Sequence, residues 1–331
     1  MEKEIYIRRL QDAMSQKYSQ DYINVCVEYA AQLFAQDLPV IFDGYHLDCV
    51  LRMENIKRDF YQEFSITGKR GKTRRIYAPS RSLKIRQRWI LDHILYKVPV
   101  AVCCEGFLKK HSICTNAKKH IGYNQSLNLD IKDFFPSITQ DRVFQVFYKM
   151  GYSTDASKKM ASLCCHEGKL PQGAPSSPYL ANIVCRAMDQ ELMELTEKNG
   201  IVYTRYADDM SFSGDCELLG IYEEIQKIIQ RHGFLVNPKK TRVYKGNKRK
   251  LITGIIVKDD GLSVPRNYKR KLKQEIYYCK KFGVAAHLEN TKAEKMVNFR
   301  EYLYGKAFYV KMVEPITGQK FLDELNEILW E

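Results

Sequence analysis

The segment Ile201-Val202-Tyr203-Thr204-Arg205-Tyr206-Ala207-Asp208-Asp209-Met210-Ser211-Phe212-Ser213 holds two short β-prone runs around a pair of adjacent aspartates. Such runs, separated by a tight break, predict a hairpin with Ala207-Asp208-Asp209 at its tip. Upstream, Ser126 to Ile131 alternates. Leu127, Leu129 and Ile131 face one way and Asn128 and Asp130 the other, which predicts a half-buried strand ending in a carboxylate. If these strands are neighbours in one sheet, Asp130, Asp208 and Asp209 converge at its edge. Adjacent aspartates on a regular strand point to opposite faces, whereas on a tight turn both can approach one ion pair.

Three carboxylates so placed suit phosphoryl transfer from a nucleoside triphosphate. That chemistry uses two divalent cations about 3.5–4 Å apart, one activating the attacking hydroxyl and one stabilising the departing pyrophosphate. Magnesium takes oxygen ligands and keeps several waters, so two or three carboxylates suffice. An isolated Asp-Asp is usually only a solvated turn, so the flanking sequence decides.

Working outward, residues 1–60 read as helical, with Tyr22, Val25, Val27, Ala30, Ala31 and Leu33 in a helix-like apolar pattern. Thr67 to Arg75 is basic and contains Gly71, as a hairpin or flexible loop would. Ser80 to Tyr96 reads as an amphipathic helix with Leu83, Ile90, Leu91 and Leu95 apolar. Pro178 to Glu197 is a long helical run, with Ser177 as its cap and Pro178 at its first position. After Pro265 a further helix places Arg266, Arg270 and Lys273 on one face and Leu272, Ile276 and Cys279 on another. The basic face suits a nucleic-acid backbone or an ordinary solvated surface.

The 331 residues carry a formal net charge of +14 with 45% hydrophobic residues, a globular composition suited to a polyanionic partner. No apolar run approaches the roughly 18 residues that would span a bilayer, and Met1-Glu2-Lys3-Glu4 does not open an apolar leader. The expectation is a cytoplasmic protein without membrane partners. Ten cysteines include the vicinal pairs Cys103-Cys104 and Cys164-Cys165 but no Cys-x-x-Cys, and they read as reduced thiols. Cys164-Cys165-His166 fits no standard zinc spacing.

Four boxes in order carry a resemblance. Asn128-Leu129-Asp130-Ile131-Lys132-Asp133-Phe134-Phe135 resembles the first aspartate box of reverse transcriptases, and Tyr206-Ala207-Asp208-Asp209 their YADD box. Between them, Leu170-Pro171-Gln172-Gly173 resembles the LPQG box. After them, Asn237-Pro238-Lys239-Lys240-Thr241 resembles the lysine box. The resemblance implies an α+β right-hand polymerase with fingers, an antiparallel-sheet palm and a helical thumb. It divides the chain into an N-terminal extension (1–60), fingers (61–127), a palm (128–256) with an interleaved fingers segment (about 140–180), and a thumb (257–331).

The same resemblance implies residue roles. Asp130 and Asp208 hold two Mg²⁺ ions, which Mn²⁺ can replace, with Asp209 as the supporting carboxylate and Ile131 among the metal and nucleotide contacts. Asp133 and Phe134 offer backbone N–H groups to the triphosphate of a dNTP. Phe135 lies under the sugar, where a ring would reject a ribose 2′-OH, or else is a core ring beside Phe134. Gln172 and Gly173 meet the incoming nucleotide, glycine allowing close backbone approach. Lys72-Thr73-Arg74-Arg75 resembles the fingers strand that closes over the triphosphate, with Arg74 the best match and Lys72 and Arg75 as alternatives. Lys240 is either the general acid for pyrophosphate or a phosphate contact in a basic stretch.

Two further boxes resemble those of bacterial retron reverse transcriptases: Asn116-Ala117-Lys118-Lys119-His120 matches NAxxH, and Ile252-Thr253-Gly254 matches VTG with Ile for Val. They imply RNA contacts at Asn116, His120 and Thr253, beside Arg266, Arg270 and Lys273; for His120 the other reading is structural. A retron enzyme primes from a guanosine 2′-OH in a cognate structured noncoding RNA and makes branched msDNA, commonly with an effector protein in anti-phage defence. The competing readings are a bacterial reverse transcriptase of abortive-infection or diversity-generating type and a non-catalytic RNA-binding scaffold. Three acidic groups in a basic cleft argue against the scaffold.

Overall fold

A computed structural model describes residues 2–52, 61–67, 73–246, 249–291 and 297–330. Contacts divide the chain into two compact units. One comprises Met1–Phe107, Ile131–Leu192 and Gln226–Val236; the other comprises Leu108–Asp130, Met193–Ile225 and Asn237–Glu331. Among the described residues no helix is long and apolar enough to cross a membrane.

The first unit is mainly helical. Its helices start where short hydroxyl side chains can satisfy a free backbone N–H. Ser19, Ser80, Thr139 and Ser153 accept from Tyr22, Leu83, Arg142 and Ala156, opening the helices Gln20–Ala35, Arg81–His93, Gln140–Lys149 and Thr154–Cys164. The helix Gln20–Ala35 buries Ala30 and Leu33 of the apolar pattern but rotates away from its N-terminal part. Ile23, Cys26, Ala30 and Leu33 are buried, whereas Tyr22 and Val25 are exposed. Strands β1 (Tyr61–Thr67) and β2 (Thr73–Pro79) pair antiparallel from Tyr61↔Pro79 to Thr67↔Thr73; the middle of the basic segment, 68–72, lies outside the described residues. Ser177 does not cap the long helix. It is already the first residue of Ser177–Lys198, which puts Pro178 second, and its buried hydroxyl has no hydrogen-bond partner among the described residues.

The second unit holds a four-stranded sheet in the order β4-β5-β3-β6, formed by β3 (Gln125–Asp130), β4 (Val202–Tyr206), β5 (Asp209–Gly214) and β6 (Arg242–Lys245). Every pairing is antiparallel. As the alternation predicts, Leu127 and Leu129 are buried. A second sheet joins β7 (Lys250–Ile252), β8 (Ile255–Val257) and β9 (Leu262–Ser263). Ile252 pairs with Ile255, leaving Thr253 and Gly254 as a two-residue turn with φ of 44° and 84°. Two positive φ values mark the type I′ hairpin turn, which matches strand twist; Thr253 adopts it against the preference of a β-branched residue.

Helices Arg266–Phe282, Phe299–Val313 and Pro315–Asn326 share one core with β7, β8 and the short helix Ile113–Lys118. The Arg266–Phe282 helix buries Leu272, Ile276 and Cys279 and exposes Arg266, Arg270 and Lys273, the division its spacing predicts. The last two long helices meet at Gly318, where an added Cβ would lie 2.1 Å from the backbone N and Cα of Lys311. Alanine is the better helix former by about 1 kcal/mol, but here its methyl enters another helix's backbone. Gly318→Ala is therefore expected to destabilise the fold by about 2 kcal/mol or more, read as a lowered urea midpoint. An unchanged midpoint would mean that the helices do not cross so closely.

Candidate active site

Tyr206 pairs with Asp209 and closes β4–β5 over two residues, Ala207 and Asp208; Asp209 is already the first residue of β5. Ala207 takes φ 59°, a conformation an L side chain adopts at a cost. Arg205, fully buried in β4, donates from Nη1 to the Ala207 carbonyl at 3.2 Å and supports that turn. One sign of this was legible: a guanidinium in the interior of a short β run must find acceptors.

The same register sets Asp209 directly across from Asp130. Asp130 is 4% exposed, and its carboxyl lies within hydrogen-bonding reach of Asp208. Burial, and then the Asp130 charge, push the Asp208 carboxyl above the usual carboxylate range. Lys240 Nζ donates to Asp130 Oδ2. Asn237 donates twice, from Nδ2 to Asp130 Oδ1 at 3.3 Å and from its backbone N to the Asp130 carbonyl at 2.8 Å. Asn237 was not picked out by sequence reasoning, although it opens the box that contains Lys240.

Among the described residues no three acidic, His or Cys side chains are gathered into a ready cluster. The centre is thus the Asp130–Asp208 pair with Asp209 in register beside it. Two neighbouring acids, one buried and one raised, drawing a lysine ammonium, form a hard-oxygen donor set that fits a divalent cation. The Ile131 side chain is buried, so only its backbone is available to a ligand.

The residues expected to meet a nucleotide lie in the other unit. Phe134 is buried core, its ring 5.3 Å from Phe135 and 6.1 Å from Phe234. Phe135 is half-buried and backed by Phe107 at 6.3 Å. Asp133 is exposed at φ 49° in the turn after Ile131. Arg74 and Arg75 are exposed on β2, with Arg75 3.5 Å from Glu63 across the hairpin; Lys72 lies outside the described residues.

Gln172 is half-buried, and its carbonyl accepts from Tyr77 N at 2.9 Å. Gly173 has φ 130°, and a Cβ there would lie 2.6 Å from the Tyr77 carbonyl oxygen. The approach to β2 by itself requires a glycine in this box. Cys164 and Cys165 are buried, and burial pushes the Cys164 thiol up to about 12. His166 packs against Tyr61 and Tyr77 with tilted rings, centroids 4.6 and 4.8 Å away. These are packing groups.

Asn116 and His120 of the retron-type boxes are buried. His120 is fully buried; Nδ1 meets Ser213 Oγ at 2.9 Å and Nε2 meets Thr204 Oγ1 at 2.7 Å, bridging β5 and β4. Asn116 is 1% exposed and donates to Thr253 Oγ1 at 3.4 Å. The two boxes thus touch each other and brace the sheet. His120→Ala would leave the buried Ser213 and Thr204 hydroxyls each short of a partner, at about 1–3 kcal/mol each. A loss of about 3 kcal/mol in denaturant stability is expected, with RNA affinity of the folded fraction unchanged. A stable variant with weakened RNA binding would restore the contact reading.

Residues 62–274 match the family model described as reverse transcriptase (RNA-dependent DNA polymerase). The chain is 35% identical to the retron Ec86 reverse transcriptase of Escherichia coli, over 72% of this chain and 77% of that one. It is 32% identical to the retron Mx162 and Mx65 enzymes of Myxococcus xanthus. Those matches cover 81% and 78% of this chain and 61% and 63% of those longer ones.

Proposed function

Since the chain belongs to the reverse transcriptases, within the retron group, and is an RNA-directed DNA polymerase of right-hand fold, we propose that it copies a cognate structured noncoding RNA into branched msDNA, priming from a guanosine 2′-OH. The observation that supports this most is the 35% identity along 77% of a retron enzyme. In this reading β4–β5 belongs to the palm, the basic hairpin to the fingers and the C-terminal helices to the thumb. The enzyme works in the cytoplasm on dNTPs, and with an effector protein in anti-phage defence; support for the effector and the defence role is the retron resemblance alone.

The family is divalent-metal dependent, and Asp130 and Asp208, with Asp209 and the Ile131 backbone beside them, are the residues that would hold Mg²⁺, or Mn²⁺ in its place. Bound there, the cations supply the charge that activates the attacking hydroxyl and stabilises pyrophosphate. The chain's own groups do the rest. Asn237 fixes the Asp130 carboxylate from one side while its backbone fixes the strand end. Lys240 is half-exposed at its ammonium and can leave Asp130 to give a proton to the departing pyrophosphate. In this reading Arg74, Arg75 and the Asp133–Phe134 backbone neutralise and orient the triphosphate. Gln172 meets the sugar and base, and Phe135 limits the sugar to deoxyribose. Arg266, Arg270 and Lys273 offer an exposed basic face to RNA phosphates.

The test is expression with the flanking noncoding region, followed by extraction of nucleic acid. A species with an alkali-stable DNA part joined through a 2′–5′ linkage, released by debranching, is expected. Only unbranched cDNA grown from 3′-OH primers would overturn the retron mechanism while leaving the polymerase in place.

A further inference from the structure

A cavity of about 640 Å³ opens in the first unit, between helices Gln140–Lys149 and Ser177–Lys198, and none of the residues assigned above lines it. Arg142, Gln145, Val146 and Lys149 form its wall on the first helix, at the spacing of one helical face. Arg186 and Gln190 come from the second. Among the described residues no Asp or Glu lines it. Among the described residues no carboxylate pairs with Arg142, Lys149 or Arg186. Lys97, at the rim, is bonded to Asp37, which lies outside the lining.

Arg142 is the most informative of these groups. Its guanidinium lies 4.4 Å over the Phe234 ring, half-buried, and desolvation lowers its pKa. A desolvated cation with only a ring for company is costly, and an anion in the cavity would offset that cost. Three unneutralised cations call for phosphate. The carboxamides of Gln145 and Gln190 can hydrogen-bond a base edge or a 2′-OH, and Val146 and Val184 give an apolar wall for a base face. The volume is that of a ligand pocket, too small for a duplex but large enough for one nucleotide drawn out of a stack.

We propose that this cavity binds an unstacked nucleotide of single-stranded RNA, its phosphate held by Arg142, Lys149 and Arg186. The inference rests on the RNA-partner reading above but not on branched priming, and it concerns a site separate from the aspartate pair. Its occupant is RNA and not an acidic peptide, because amides and an apolar wall beside the cations match all three parts of a nucleotide.

The experiment uses the full-length protein and a generic single-stranded RNA oligonucleotide carrying 4-thiouridine. Photo-crosslinks are expected in the peptides spanning 140–150 and 183–190. In the Lys149→Gln, Arg186→Gln double variant, which keeps Arg142 on its ring, single-strand affinity should fall about tenfold and the log–log salt slope by roughly 1.4. Duplex RNA affinity should change less than twofold. Crosslinks confined to other segments, an unchanged slope, or equal losses for single-strand and duplex RNA would each overturn the proposal. If extension of a preformed primer–template stays normal while these effects appear, the site stands whatever the outcome for branched priming.

Discussion

Asp208→Asn is expected to lower templated DNA extension by roughly a thousandfold or more while leaving RNA binding intact. The loss follows from the donor set. Asparagine keeps the shape of the turn but gives one neutral oxygen where a divalent cation needs a charged one. A second result should accompany it. Asp208 is partly buried and within hydrogen-bonding reach of Asp130, so in the absence of cations its charge opposes folding, and the variant should melt higher than the wild type. Added Mg²⁺ should raise the wild-type melting temperature by binding the folded state, and raise the variant's less. Near-normal extension, or equal Mg²⁺ stabilisation of both proteins, would remove Asp208 from the centre.

Phe135→Ala should raise the use of rNTPs relative to dNTPs by up to about a hundredfold in the ratio of kcat/KM values, the range a shape filter commands over a single hydroxyl. Phe134 and Phe135 are adjacent but not equivalent. Phe134 is 4% exposed and sits among other rings, whereas Phe135 is half-buried with Phe107 and Phe134 behind it. A half-buried ring held by two neighbouring rings can act as a fixed wall. Removing it opens space without emptying the core, so the variant should remain folded. An unchanged ratio in an active variant would return Phe135 to a packing role.

The parts of this protein that were legible are those whose pattern is local. The alternation of Leu127, Leu129 and Asp130 predicts β3, and the break between two β-prone runs predicts the β4–β5 hairpin. The Arg270/Leu272 division of the last third needs only helical spacing. What was not legible depends on residues far apart in the chain. Asn116 and Thr253 touch across 137 positions, so each box by itself looks like a surface motif. Gly173 is set by the Tyr77 carbonyl, and a glycine alone does not say what approaches it. In the helix Gln20–Ala35, apolar residues occupy more than one face, and only packing chooses Ile23 and Cys26 over Tyr22 and Val25. The short strands β6 to β9 carry too few residues for a period to emerge.

The most direct measurement of the central claim is incorporation of labelled dNTPs by the purified chain on an RNA template with a DNA primer, with and without Mg²⁺. The account predicts an alkali-stable DNA product whose sequence complements the RNA, formed only with the cation and lost in Asp208→Asn. A product that forms without a divalent cation, that ignores the template, or that persists undiminished in Asp208→Asn would contradict it.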